Sequence, residues 1–196
     1  AAPGDSIWDD FSEDGTIDYD ADRHEIGNPH PDVTLGVSLG CEYKGFDFAV
    51  TGSGAFGMQV MQCYRTALLA NQYNSYTVDA FDRWHGEGTS NKYPRLTVGS
   101  INDQWVSTRY MHKGDYFKIQ NITLGYDFCK LWKSSPFQQL RLYVQAQNLA
   151  TITGYSGVDP ECGANGGGDN ANWVRGIDVG LYPTARTWIV GASIKF

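Results

Sequence analysis

The stretch TWIVGASIKF, residues 187–196, decides the fold because its side chains alternate in character. One face is apolar and consists of Trp188, Val190, Ala192, Ile194 and Phe196. The other face consists of Thr187, Gly191, Ser193 and Lys195, with Ile189 as its one apolar member. Such alternation predicts a β-strand whose apolar face needs a dry neighbour. That neighbour is a second sheet in a soluble sandwich, or lipid in a membrane barrel.

Composition limits the classes of protein to which the chain can belong. The 196 residues are 41% hydrophobic and 19% charged, which is ordinary for a folded domain. No run approaches the ~18 apolar residues of a membrane helix, so any membrane span has to be a strand. The 23 glycines, 12 tyrosines and 6 tryptophans suit strands, turns and aromatic girdles. The net charge of −7 disfavours a nucleic-acid partner.

Alternation with period two recurs upstream. The five predicted strands are residues 33–42, 46–56, 116–128, 139–148 and 185–196. Within 116–128 the apolar positions change parity, which predicts a β-bulge near Gln120–Asn121. The strand 139–148 has one polar face, formed by Arg141, Tyr143, Gln145 and Gln147. That face is too polar for a sandwich core and suits a water-filled lumen.

The connections between these strands alternate in length. Residues 43–45 and 129–138 are short connections, whereas 57–115 and 149–184 are long. Outer-membrane barrels keep short turns in the periplasm and long loops outside, so residues 1–32 and both long loops are predicted to be extracellular. Helical spacing from Met58 to Asn71 predicts a helix in the first long loop. Because five strands cannot close around a polar lumen, the chain is predicted to be part of a larger barrel.

Residues 9–23 form an acidic segment. Alignment of Gly15 with the glycine of an EF-hand loop places five oxygen donors at ligand positions, namely Asp10, Ser12, Asp14, the Thr16 carbonyl and Asp18. The twelfth position is Ala21, so Asp22 can close the site only across a one-residue bulge. The segment is therefore either a Ca²⁺ site or a solvated acidic turn.

The four cysteines show no spacing typical of metal ligands. Cys63 and Cys162 lie in the two long loops. They would pair in an oxidising compartment or remain thiols, and sequence does not decide between these states.

Motifs along nearly the whole chain resemble the carboxy-terminal segment of SusC/RagA-type TonB-dependent outer-membrane transporters. They occur in the family's order at residues 14–17, 26–31, 43–47, 56–57, 93–95, 121–126, 147–149, 152–161 and 187–196. The last strand also resembles the barrel assembly signal, with Trp188, Val190, Ile194 and Phe196 as its signal residues. Ser12 and Glu13 depart from the family's acidic loop, which weakens the calcium interpretation.

This resemblance implies an all-β fold, the last five antiparallel strands of a barrel of about 22 strands. It also implies a Gram-negative outer-membrane importer of glycans or peptides without catalytic residues. The expected partners are the lipid bilayer, the rest of the barrel and its plug, TonB acting through that plug, and a SusD-like lipoprotein lid. The rival interpretation is a soluble carbohydrate-binding β-module. A glycosidase using Asp159 and Glu161 is a third, although two carboxylates so close in sequence more often shape a turn.

The two long loops hold the residues predicted to face substrate or lid, because they combine aromatic planes with charged groups. These residues are Trp84, Arg95, Arg109, Tyr110, Asp159, Glu161 and Trp173. The alternative is that Arg95, Arg109 and Asp159 brace the loops through ion pairs.

Overall fold

A computed structural model describes residues 2–64, 78–96, 106–132, 134–161, 175–180 and 182–196. These residues form eight strands, β1 (Val33–Tyr43), β2 (Phe46–Phe56), β3 (Gln59–Gln62), β4 (Met111–Lys113), β5 (Tyr116–Asp127), β6 (Gln139–Thr153), β7 (Ile177–Asp178) and β8 (Thr187–Lys195). They also form three 3₁₀ helices, Val78–Asp82, Thr108–Tyr110 and Phe128–Lys130. None of the described helices has the length and apolar character needed to cross a membrane.

The chain divides into two compact units. The sheet unit consists of Pro29–Gln59, Lys113–Cys162 and Leu181–Phe196. The loop unit consists of Ala1–Asn28, Val60–His112 and Gly163–Gly180.

The sheet unit is built on an antiparallel sheet with the strand order β1-β2-β5-β6-β8. Strands β1 and β2 form a hairpin closed by Lys44 and Gly45, whose φ angles are 49° and 91°. Two successive positive φ angles are typical of the tight turn that matches strand twist. Five strands from different parts of the chain, between Val33 and Lys195, thus form one continuous sheet.

Transverse rows of paired residues on the two faces of this sheet differ in character. Two adjacent rows on one face are Cys41, Phe48, Leu124, Val144, Val190 and Leu39, Val50, Ile122, Ala146, Trp188. Two rows on the opposite face are Gly40, Ala49, Thr123, Gln145, Ile189 and Ser38, Thr51, Asn121, Gln147, Thr187. We call these the apolar face and the polar face. Because the side-chain period is two, correct register alone separates them.

The predicted β-bulge is confirmed. Ile119 pairs with Ala150 whereas Asn121 pairs with Gln147, so the register shifts around Gln120. Strand β6 continues to Thr153, beyond the end predicted at residue 148. Asn148 has a φ of 52° at this point. Its irregular backbone interrupts the local pattern, and the pairing of residues 150–153 with β5 extends the strand.

The loop unit contains a second sheet with the strand order β4-β3-β7. The helix predicted from Met58 to Asn71 is wrong at its start, because Gln59–Gln62 is strand β3. Val60 and Gln62 are buried, at 1% and 0% exposure, whereas Gln59 and Met61, which alternate with them, are more exposed. Met61 and Gln62 pair in parallel with Ile177 and Asp178, and this long-range pairing fixes the strand. The predicted helix continues to Asn71, and its residues 65–71 lie outside the described part.

Aromatic rings gather at the short-turn end of the sheet unit. The rings of Phe46 and Tyr126, on paired strands, have centroids 4.4 Å apart. Phe128 meets Tyr126 edge-on at 5.1 Å, and Phe196 meets Phe137 at 5.4 Å. Aromatic belts of this kind mark the interfaces of membrane barrels.

Candidate functional site

The polar face carries paired charges near its short-turn end. Arg141 donates to Asp47 through Nε at 2.7 Å and through Nη2 at 2.5 Å. This bidentate geometry is the strong form of an arginine–carboxylate pair. The pair crosses β5 at Gly125, where an added Cβ would overlap Asp47 Oδ1 and lie 2.7 Å from Arg141 Nε. Glycine at this position therefore leaves room for the ion pair.

A polar cleft of about 570 Å³ surrounds this pair. Charges of both signs line it, from Glu42, Lys44, Asp47, Asp127, Lys130 and Arg141. Mixed charge suits a polar, hydrated partner better than an apolar ligand.

At the other end of the polar face, Glu161 meets a buried lysine. Lys118 Nζ donates to Glu161 Oε2 at 2.6 Å, and the Glu161 backbone amide donates to Asp159 Oδ1 at 3.0 Å. The structure therefore places Asp159 and Glu161 next to each other, with Glu161 in contact with Lys118. Sequence reasoning missed Lys118. The visible signal was a charged residue in a strand whose apolar residues alternate.

The amino-terminal segment holds the first long loop in the loop unit. Arg95 donates from its backbone amide to Gly4 O at 2.8 Å and from Nε to Asp5 Oδ1 at 2.7 Å. Arg109 Nη2 donates to Ser6 Oγ at 3.1 Å, and the Trp84 ring packs on the backbone of Gly4. Arg95, Arg109 and Trp84 were predicted to face substrate or lid. In the structure they contact residues 4–6 of the amino-terminal segment.

Two further residues of that set differ in placement. Tyr110 is buried, at 2% exposure, in the 3₁₀ helix before β4. Its burial favours a packing role. Trp173 lies outside the described residues.

A cavity of about 380 Å³ lies within the loop unit, between residues 6–26 and residues 106–109. Its walls include Trp8, Phe11, Tyr19 and His24. Phe11 and His24 lie with ring centroids 3.9 Å apart, and Arg23 lies 5.6 Å above the Tyr19 ring. Sequence reasoning treated this segment only as an acidic turn, although its aromatic residues were a visible signal.

The carboxylates of the acidic turn bind its own backbone. Asp10 Oδ2 accepts from the Gly15 amide at 2.8 Å, and Asp22 accepts from the amides of Ser12 and Asp18 at 3.0 and 2.7 Å. Hydrogen bonds from the Thr16 hydroxyl and amide lower the pKa of Asp14. The amides of Asp18 and Ser12 likewise lower the pKa of Asp22.

Among the described residues, no three or more His, Cys, Asp or Glu side chains group together so as to hold a metal ion. The turn is instead stabilised in a closed form by the side chains of the predicted calcium ligands, Asp10, Ser12, Asp14, Thr16, Asp18 and Asp22. The calcium site stays a prediction.

The residues of the predicted assembly signal lie on the apolar face or beside it. Trp188 and Val190 end the two apolar rows at strand β8, and Ile194 pairs with Leu140. Phe196 contacts the ring of Phe137. Their exposure leaves them open to an apolar environment.

Two curated proteins match almost the whole chain. The chain is 33% identical over 196 residues to TonB-dependent receptor P3 of Formosa agariphila, covering 99% of the chain and 19% of that receptor. It is 30% identical over 196 residues to TonB-dependent receptor SusC of Bacteroides thetaiotaomicron, covering 99% of the chain and 18% of that receptor. The chain therefore spans about a fifth of the length of these relatives. No family model matches it.

Solved structures share the fold. The RagAB peptide transporter matches with a TM-score of 0.71 and 18% identity, over 92% of this chain and 19% of that chain. The RagAB peptide importer in its closed-closed state matches with a TM-score of 0.68 and 19% identity, over 93% and 20%. At this identity the likeness concerns the fold.

These matches and the two-faced sheet confirm that the fold is an antiparallel segment of a membrane β-barrel. The sheet is open because the chain is a segment of such a barrel. The class that it matches is that of the TonB-dependent receptors. Within that class, the predicted resemblance to the SusC/RagA type is confirmed, since both SusC and RagAB are among the matches.

Proposed function

We propose that the chain forms part of the wall of a TonB-dependent importer in a Gram-negative outer membrane. The observation that carries this proposal is the separation of the sheet into an apolar face and a polar face across all five strands. The apolar face suits lipid and the polar face suits a hydrated passage. The similarity to TonB-dependent receptors supports energy coupling through TonB.

The cargo in this proposal is a glycan or a peptide too large for a simple pore. One structural neighbour is the RagAB peptide importer, and this supports peptides as one class of cargo. A SusD-like lipoprotein would cover the outer mouth, as the resemblance implies. In this proposal, the remainder of the barrel and its plug complete the transporter. A calcium ion bound in the acidic turn would have a structural role.

The rival soluble module fits the sheet poorly. Leu142 and Val144 are each 45% exposed and Val190 is 80% exposed, all on one face. A continuous apolar face of this size in water would promote association. In addition, Asp159 and Glu161 belong to a hydrogen-bonded loop that contacts Lys118, which does not favour the glycosidase interpretation.

Uptake by the full-length receptor that carries this chain tests the proposal. The receptor, with and without its neighbouring lipoprotein, would be expressed in a Gram-negative host and given labelled oligosaccharides and peptides. We expect accumulation of one class only when TonB is active. Purification of the receptor as a monodisperse protein without detergent, with no uptake, would support the soluble module instead.

A further inference from the structure

Lys118 is a buried cation on the polar face. It is 5% exposed, and it lies in one row with Ser53 and Thr151. Lysine is rarely buried unless its ammonium group is paired. Another part of the chain therefore covers Lys118 and supplies a hydrogen-bonding partner for its ammonium group.

The covering groups come from both ends of the long connection between β6 and β8. Lys118 Nζ donates to Glu161 Oε2 at 2.6 Å and to Thr184 Oγ1 at 3.4 Å. Thr184 Oγ1 donates in turn to Asp159 Oδ2 at 3.5 Å. One ammonium group thus joins the start of the connection to its end.

Residues 154–161, which we call the arm, are built to reach this ammonium group. The Tyr155 amide donates to Thr153 Oγ1 at 3.0 Å, and Thr153 Oγ1 donates to Asp115 O at 2.7 Å. The Tyr155 side chain is buried and packs so closely on Gly157 that a Cβ there would overlap its ring. The arm therefore leaves β6 in a fixed direction. Its last residue, Glu161, lies over the polar face, where it contacts Lys118.

We propose that Lys118 is a positioning residue that holds the arm over the polar face and so restricts access to that face at the long-loop end. The proposal rests on the proposed function, in which the polar face lines the passage. It gives Glu161 the role of the arm's anchor. Loss of the pair should leave the barrel assembled but release the arm, because the strands keep all their ladder bonds.

Hydrogen exchange in the full-length receptor tests this positioning role. We expect Lys118→Met and Glu161→Gln each to speed exchange of the arm's amides by about tenfold or more, because the ion pair between the buried Lys118 and the half-exposed Glu161 holds the arm closed. The charge swap Lys118→Glu with Glu161→Lys should restore slow exchange. Lys92→Met is the matched control, since Lys92 pairs with Asp82 in an exposed ion pair of the loop unit.

A second readout measures access to the polar face. Thr123→Cys would be placed in a receptor whose native cysteines are replaced by serine, and a bulky thiol reagent would be added from outside. Glu161→Gln should raise the labelling rate about tenfold, the same factor as the arm's opening. This variant keeps Lys118, so it remains informative if Lys118→Met fails to assemble.

Unchanged exchange in both single variants, or a charge swap that does not restore slow exchange, would overturn the proposal. Faster exchange without faster labelling at residue 123 would also overturn it, because the arm would then not restrict access. If exchange and labelling respond but the receptor imports nothing, the positioning role stands and the proposed transport function fails.

Discussion

Gly125 lies where the Asp47–Arg141 ion pair crosses strand β5. We expect Gly125→Ala to destabilise the receptor by about 1–3 kcal/mol, because the added methyl group pushes two charged side chains off their rotamers. Urea unfolding of the full-length receptor in lipid measures the difference. The control is Gly36→Ala, at a polar-face position where nothing lies within 4 Å of the new Cβ. Equal losses at both positions would contradict this role for Gly125.

The acidic turn gives a second prediction at the residue scale. If it takes calcium, titration calorimetry should show one Ca²⁺ bound with a dissociation constant of roughly 10⁻⁴–10⁻³ M, the range of extracellular modules. Asp14→Ala should abolish the heat, because this removes a predicted ligand. Asp82→Ala, outside the turn, should leave it intact. A wild-type protein that gives no heat would show that the turn is closed by its own backbone amides alone.

At the scale of one element, strand β6 carries residues of both the apolar face and the polar face. Val144 lies in an apolar row between Leu124 and Val190, whereas Gln145 lies between Thr123 and Ile189. Val144→Arg should cost about 2–4 kcal/mol near the bilayer midplane, while Gln145→Arg should be tolerated. Unfolding of both variants in the same lipid measures this difference. Equal tolerance would reject the assignment of the faces.

Local periodicity was enough to predict the strands of the sheet and the bulge at Gln120, because a strand with one apolar and one polar face shows its register in its own sequence. It was not enough at Gln59–Gln62, where a short apolar stretch fits helix and strand equally well. The partner that decides, Ile177–Asp178, lies more than a hundred residues away. The end of β6 was missed for a related reason, since Asn148 breaks the local pattern and β5 restores it.

The candidate site was harder to predict than the sheet. Arg95, Arg109 and Glu161 were predicted to face substrate or lid, and the structure pairs them with residues that are 90, 103 and 43 positions distant in sequence. Pairing over such distances leaves no mark on local sequence. Contacts of these residues with substrate or lid stay predictions.

At the scale of the whole molecule, the first long loop should serve the outer mouth. Its tip, residues 85–92, is a turn in which the His85 amide donates to Thr89 Oγ1 at 3.1 Å. Deleting the tip should leave assembly intact, because the sheet and Phe196 are untouched, yet weaken uptake or lid association. Uptake assays and lipoprotein co-purification measure the effect. A replacement of the same residues by a glycine-serine linker of equal length controls for loop length.

The tip has no part in the mouth if uptake and lid binding both stay at the wild-type level in a normally inserted receptor. A deletion that instead abolishes assembly would mean that the loop unit is needed for folding, which the division of the chain into two compact units does not lead us to expect.

The central claim is that one face of the sheet meets lipid and the other meets water. Spin labels placed singly at residues 141–146 of the full-length receptor in bilayers test it most directly, through their collision rates with oxygen and with a water-soluble nickel chelate. Residues 142, 144 and 146 should favour oxygen, and 141, 143 and 145 should favour the chelate, in strict alternation. Equal accessibility to the chelate at all six positions would contradict the account.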